Sequence, residues 1–413
     1  MLIRIAPLLL VLAAALLYGA DGAAASLLLS ALLLGCGALI VLLSPRRPPV
    51  LALAFALAFI GFAAVGWMKG WLASGGPEYA ALAAVGAVYL SAFLSANTAH
   101  ATDRLWRMTL LAGGLLAGAA VIDHLLNPDL SFGRPRPYHE GRLAAPFLSA
   151  NTAATFYATV MLMAAGEALR RFARVSGFSF GRIFEAGIQA FFMPGLVFLF
   201  AASALVLTAS RGGIAIGAVC LLVLVAWERL AAGRRFTLGG LAGGAGLAGA
   251  VLLGLFFMSG DAAFMRFESG GSDNSRLRMF ASYWPAAREA GAFGHGLGGF
   301  SFVNDALARG DEADFLQVQG AAHSVYLQWL IQGGWAGATM MGAAFVSALG
   351  AILTGLGRRA RQRSYLRTLF IIAVMVCAHG AFDYALEIPM MAWWTAWLLG
   401  LGGGLALREE RGA

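Results

Sequence analysis

The sequence predicts an all-α polytopic membrane protein, with about 12 transmembrane helices and one long outward loop that contains short helices. Three observations carry that expectation. Of 413 residues, 60% are hydrophobic and 12% charged, with a mean hydropathy of +0.76, whereas a soluble domain carries about 25% charged residues. Apolar runs of roughly 20 residues recur along the chain, each long enough to cross ~30 Å of hydrocarbon as a helix. The basic residues fall in short clusters between those runs.

In chain order the spans are expected at about 4–20, 24–43, 50–72, 78–96, 105–127, 148–169, 189–209, 211–230, 238–259, 323–353, 366–385 and 389–407. The first is followed at once by more spans and lacks a cleavage site, so it reads as a retained anchor. Alternate connections carry Arg4, then Arg46 and Arg47, Arg104 and Arg107, Arg170 and Arg171, Arg229, the cluster from Arg358 to Arg367, and finally Arg408 and Arg411. The positive-inside rule assigns that side, with both termini, to the cytoplasm. The net charge of +8 is therefore topology, and no nucleic-acid partner is expected. Cys36, Cys220 and Cys377 lie inside apolar runs without pairing or metal spacing and read as small core residues.

The same alternation places two long connections, 128–147 and 260–322, on the outer side. With the outer end of span seven they carry Arg134, Arg136, Arg142, Arg211, Arg276, Arg278 and Arg288, which oppose the topology rule. An anionic ligand on that face explains such a set. The bland alternative is that short outer loops hold a few arginines by chance.

Within the first outer loop, prolines at 135, 137 and 146 exclude a regular helix, and Asn151 falls in the first turns of span six. Asn151 there can bond a sugar or phosphate, or simply cap the helix. In LTASRGGIAIG, Arg211 opens span eight, and Gly212 and Gly213 let a ligand approach free N–H groups at the helix start; an interfacial snorkelling arginine is the alternative. In the large loop, SRLRMFASYWPAAREAG reads as a helix along the membrane surface, capped by Asp273, Asn274 or Ser275, with Leu277, Phe280 and Trp284 on its apolar face. Arg276 starts that helix, and GHGLGGF after it, containing His295, reads as a flexible turn without the βαβ context of a dinucleotide site. His323 begins span ten where loop meets bilayer; it can serve as a general base or merely cap a helix. His379 and Asp383, four residues apart, are expected on one helix face as a hydrogen-bonded pair supporting the site, with Asp123 and His124 as weaker candidates for the same role. No metal set is visible.

RLAAPFLSANTAATF, LTASRGGIAIG, SRLRMFASYWPAAREAGAFGHGLGGF and AAHSVYLQWLIQGG, followed by HGAFDYALEIP, occur in this order over roughly residues 127–389. Together they resemble the O-antigen ligase and O-antigen polymerase family of bacterial inner-membrane glycosyltransferases of the GT-C type. The resemblance implies N-terminal transmembrane helices at 1–127, a catalytic region at 128–389 with its periplasmic loop at 260–322, and a last helix with cytoplasmic tail at 390–413. It implies transfer of a glycan from undecaprenyl diphosphate, on the periplasmic face, to lipid A–core, another glycan or a protein hydroxyl, as a metal-independent, inverting glycosyltransferase without cofactor. Catalytic roles pass to His323 as base and to Arg211 and Arg276 on the diphosphate; Arg142, Asn151, Arg278, Arg288 and Tyr326 are carried as substrate-binding, and His379 and Asp383 as supporting residues. Two departures stand out: Ser324 occupies a position where asparagine is frequent, and Phe280 one where tryptophan is common. A repeat-unit polymerase is the alternative within the family, and a transporter or flippase of lipid-linked saccharides the alternative from another class.

Overall fold

A computed structural model describes residues 2–45, 47–69, 72–135, 141–173, 180–233, 272–309, 313–359 and 362–407. The chain is an all-α polytopic membrane protein. Among the described residues nine helices are long and apolar enough to cross a membrane, with a shorter apolar helical stretch at Phe191–Leu207. The span expected at 238–259 and the loop start at 260–271 lie outside the described residues. The chain forms two compact units, Met1–Leu105 with Gly270–Arg358 and Gly380–Ala413, and Trp106–Ser269 with Arg359–His379.

The first unit holds α1 (Leu2–Ala13), a 3-10 turn (Ala14–Ala20), α2 (Ala23–Leu43), α3 (Val50–Met68), α4 (Leu72–Ser95) and the start of α5 (Ala99–Leu126). Helix α4 lies at its centre, against α2, α3 and the last helix of the chain (Pro389–Leu407). Small residues permit that approach. A Cβ on Gly400 would stand 2.4 Å from the Tyr89 carbonyl oxygen, and one on Gly404 2.3 Å from that of Phe93. Close backbone contact through small residues is how helices associate in lipid, where the hydrophobic effect gives no preference between protein and acyl chain. Trp393, Trp394 and Trp397 are fully buried, and the Trp393 indole donates to the Ala81 carbonyl at 3.0 Å, so its polar atom is satisfied.

The long connection in this unit forms α9 (Ser272–Glu289), α10 (Phe300–Leu307) and α11 (Ala313–Leu316) before α12 (Val325–Arg358). Helix α9 starts earlier than expected, so Asp273, Asn274 and Ser275 lie inside it and none is its cap. It has two apolar stripes. Met279, Tyr283 and Ala287 are buried with Phe300, Val303, Leu316 and Ile331, while Leu277 and Trp284 are exposed and Phe280 is half-buried. Only the second stripe was legible as a surface face. The Tyr283 hydroxyl donates to Asn304 Oδ1 at 2.6 Å, and Asn304 Nδ2 donates to the carbonyls of Leu316 and Gln319, which ties α9, α10 and α11 together.

Helix α12 is broken at Gly334 (φ 63°, ψ −167°), a conformation that glycine alone adopts readily. The break frees backbone groups that must find partners where water is scarce. The glycine-rich turn supplies them: His295 N–H donates to Ile331 O (2.9 Å), Gly296 N–H to Gln332 O (2.9 Å), Trp335 N–H to Gly291 O (3.2 Å) and Ala336 N–H to Ala292 O (2.8 Å). The stretch read as a flexible turn is thus anchored to α12. A Cβ on Gly294 would sit 2.5 Å from the Gln332 backbone, so the two segments meet main chain to main chain.

The second unit holds the rest of α5, a short antiparallel hairpin (β1 Leu130–Ser131, β2 Arg134–Pro135), α6 (Ala150–Phe172), α7 (Phe180–Leu207), α8 (Arg211–Ala231) and α13 (Arg363–Gly380). Helix α6 is buried along most of its length, against α7 and α8. Asp123 Oδ2 accepts from the Phe132 N–H at 2.8 Å and so fixes the hairpin. On the side assigned to the cytoplasm, the buried Glu167 accepts from Arg170 and Arg171, and Arg367 makes a two-pronged bond to Glu228 at 2.8 and 2.6 Å. Of these, Arg367 ties α13 to α8, while the Glu167 bonds lie within α6.

Candidate active site

His323 immediately precedes Ser324, whose hydroxyl accepts from the Leu327 N–H at 3.5 Å and so begins α12. That accounts for serine where asparagine is frequent: both cap a helix start. His323 itself has φ +50°, a left-handed conformation uncommon for a residue with a Cβ. It is held by its neighbours. The Val325 N–H donates to the Asp383 carbonyl at 3.1 Å, the Ala322 N–H to Gln328 Oε1 at 2.8 Å, and the imidazole meets the Tyr384 ring edge to face at 5.1 Å. The Nδ1 atom lies 4.0 Å from Asp383 Oδ1, beyond hydrogen-bond distance but close enough to feel the carboxylate. Burial, followed by the charge of Arg276, lowers the His323 pKa to about 4, so the ring is neutral at neutral pH.

Around this histidine the first unit also carries Arg276, half-buried near the start of α9, and Tyr326, exposed on the first turn of α12. Arg278 lies over the Phe315 ring at 4.4 Å. Arg288 is exposed in the last turn of α9, where a cation also answers the helix dipole.

The second unit carries a connected set. Arg142, only 4% exposed, donates from Nε to the Thr208 carbonyl at 2.7 Å and from Nη2 to Asn151 Oδ1 at 3.0 Å, while the Leu143 N–H donates to Leu207 O. Thr155 donates to the Asn151 carbonyl at 3.2 Å, and His379 Nδ1 lies 2.7 Å from the Thr155 hydroxyl. The chain of bonds Arg142, Asn151, Thr155, His379 joins the turn Thr208–Ser210 through the Thr208 carbonyl. From that turn α8 starts at Arg211, with the Ser210 hydroxyl accepting from the Gly213 N–H at 3.4 Å. Gly213 is needed for packing as well, because a Cβ there would come within 2.7 Å of Ala154 Cβ.

These contacts alter one expectation. Helix α13 ends at Gly380, so the four-residue spacing does not place Asp383 on the helix face of His379. The His379 ring meets Thr155, and the Asp383 carbonyl accepts from Val325 in the His323 turn. Thr155 and Thr208 left no sequence signal. Glu387 and Gln332 did, as polar residues beside apolar runs: Gln332 Nε2 donates to Glu387 Oε2 at 3.0 Å, its Oε1 accepts from Gly298 N–H at 2.7 Å, and burial pushes the Glu387 carboxyl up to about 7. Among the described residues no group of three or more histidine, cysteine or acidic side chains is placed to hold a metal ion.

The fold thus defines a multi-pass helical membrane protein with arginine- and histidine-bearing turns at helix starts. Residues 196–342 match the O-antigen ligase family model, and over that stretch the resemblance carried by the motifs is borne out. The matched stretch contains Arg211, Arg276 and His323, and the family is one of glycosyltransferase-like enzymes acting on lipid-linked glycans. Comparison with curated proteins gives no match.

Proposed function

We propose that the protein moves a glycan from undecaprenyl diphosphate to an acceptor hydroxyl on the periplasmic face of the bacterial inner membrane, as an O-antigen ligase does. The observation that carries this reading is the preformed His323 turn, with its left-handed backbone and its Nδ1 facing Asp383, in the matched stretch that also holds Arg276. In the proposed reaction His323 takes the proton of the acceptor hydroxyl through Nε2, because Nδ1 faces Asp383. The acceptor oxygen attacks the anomeric carbon in line, the bond to the diphosphate breaks with inversion, and the guanidinium groups of Arg276 and Arg211 meet the charge on the departing oxygens. The guanidiniums fill the place a metal would take, so transfer is proposed to be metal-independent. Arg142 and Asn151 hold the turn that presents Arg211, and Arg278, Arg288 and Tyr326 line the approach for substrate.

The proposed reading also couples the two substrates. Arg276 helps to depress the His323 pKa while its charge is unanswered; a bound diphosphate would neutralise it and let the imidazole become more basic. The acid limb of kcat/KM, which reports free enzyme, is expected near pH 4, and that of kcat at a higher pH. Coincident limbs would remove the coupling.

The break in α12 is the one observation that favours a transporter, since transporters build substrate sites from discontinuous helices. Here the backbone groups beside the break are bonded to residues 291–296 and are engaged already. The deciding experiment is glycan transfer by purified protein from undecaprenyl-diphosphate-linked glycan, with His323→Ala and Arg276→Gln as comparisons. Unchanged transfer by folded variants would refute the assignment. In a strain lacking the protein, long polymer left on the carrier indicates the ligase, and single repeat units the polymerase.

A further inference from the structure

Four helix ends of the first unit enclose a cavity of about 450 Å³, within the ~300–1,000 Å³ range of small-molecule sites. It is formed where α1 and α5 begin and α2 and α4 end, the side that the arginine distribution assigns to the cytoplasm. No residue of the proposed transfer site lines it. Its wall is of two kinds. Arg4 and Arg104, with Ser44 and Ser95, give it a polar, cationic part, and no acidic side chain lines it among the described residues. Ile40, Leu94 and neighbouring aliphatic side chains give the rest. The Ser95 hydroxyl donates to the Arg4 carbonyl at 3.5 Å, which ties the end of α4 to the first turn of α1, where helical N–H groups lack partners in their own helix.

We propose that this cavity binds an anionic phospholipid, its phosphate between Arg4 and Arg104 and an acyl chain along Ile40 and Leu94. Charge complementarity selects the headgroup. The apolar wall argues against a free anion, which would leave it unfilled. It also opens toward lipid: Leu43, which lines the cavity, is 64% exposed, and the adjoining Leu42 is 80% exposed. Occupancy would fix the start of α1 against α2, α4 and α5. This inference does not depend on the transfer chemistry.

The test is native mass spectrometry of the full chain in detergent with added phosphatidylglycerol or phosphatidylcholine. One phosphatidylglycerol should be retained, about tenfold more tightly than phosphatidylcholine. Arg4→Gln/Arg104→Gln should weaken retention by about 25-fold, taking about fivefold for each arginine. Arg47→Gln/Arg358→Gln, which removes two exposed arginines outside the cavity, should leave it unchanged. Should the first pair fail to fold, Arg104→Gln alone, at an exposed side chain, should still cost about fivefold. Equal retention by the cavity variants, or an equal loss in the control pair, overturns the proposal. Displacement by millimolar glycerol phosphate overturns it in favour of a free-anion site.

Discussion

His323 and Arg142 show how differently two polar residues of this chain can be held. The histidine is fixed by its backbone, with φ +50° and bonds to flanking residues, while its ring is largely buried and neutral. Its imidazole should titrate near pH 4 by NMR, against an ordinary value of 6.5, and Arg276→Gln should move that midpoint upward by removing a nearby positive charge. His323→Ala should lower transfer by about 10²–10⁴, the range of a positioned general base. Arg142 is the reverse case, buried and bonded to Thr208 and Asn151. Arg142→Gln should cost about 3 kcal/mol, read as a fall in thermal midpoint, since two charge-assisted bonds go and the groups they served stay buried. The sequence marked both residues because an outward arginine or a loop-end histidine is conspicuous in a chain this apolar. Arg142's partner Thr208 lies far along the chain and is an ordinary hydroxyl residue in an apolar run, so nothing local distinguished a ligand-binding arginine from one that holds a turn.

At the scale of elements, the decisive feature is the pairing of the glycine-rich turn with the broken helix α12. Gly334→Ala would place a Cβ 2.4 Å from the Gly294 nitrogen, in a backbone conformation closed to alanine. It should destabilise the fold by more than ~2 kcal/mol and expose residues 291–298 to limited proteolysis. The Gln332 amide extends the same junction to Glu387. The Glu387 pKa is about 7 in the folded chain against an ordinary 4.5, so the folded state holds the proton more tightly than the unfolded state. Its contribution to stability is complete below about pH 4.5 and is lost as pH rises through about 7. Glu387→Gln should flatten the dependence of thermal stability on pH over that window and leave the protein more stable at pH 8. Hydropathy located α12 correctly but could not show its break, because two adjacent glycines also occur in helices that continue.

For the whole molecule, the nine long apolar helices among the described residues were legible because hydropathy is a local property. The division into two units was not, since it depends on which helices pack together: α13 follows α12 in sequence but belongs with α6, α7 and α8. The orientation is open to direct measurement. A cysteine placed at Arg288 should react with a membrane-impermeant maleimide added outside intact inner membrane, and one at Arg47 only after permeabilisation. The reverse pattern would invert the topology and remove the periplasmic reaction.

The break at Gly334 also bears on how the protein is made. The part of α12 from Trp335 to Arg358 spans ~36 Å at 1.5 Å per residue, enough to enter the bilayer unaided. The preceding part, Val325–Gln332, spans only ~12 Å and is joined to the loop by backbone bonds from residues synthesised earlier. Insertion and completion of the His323 turn are therefore separable events in biogenesis. A chain whose loop fails to dock would thread the membrane normally and still lack a finished site, a defect that membrane localisation alone would never reveal.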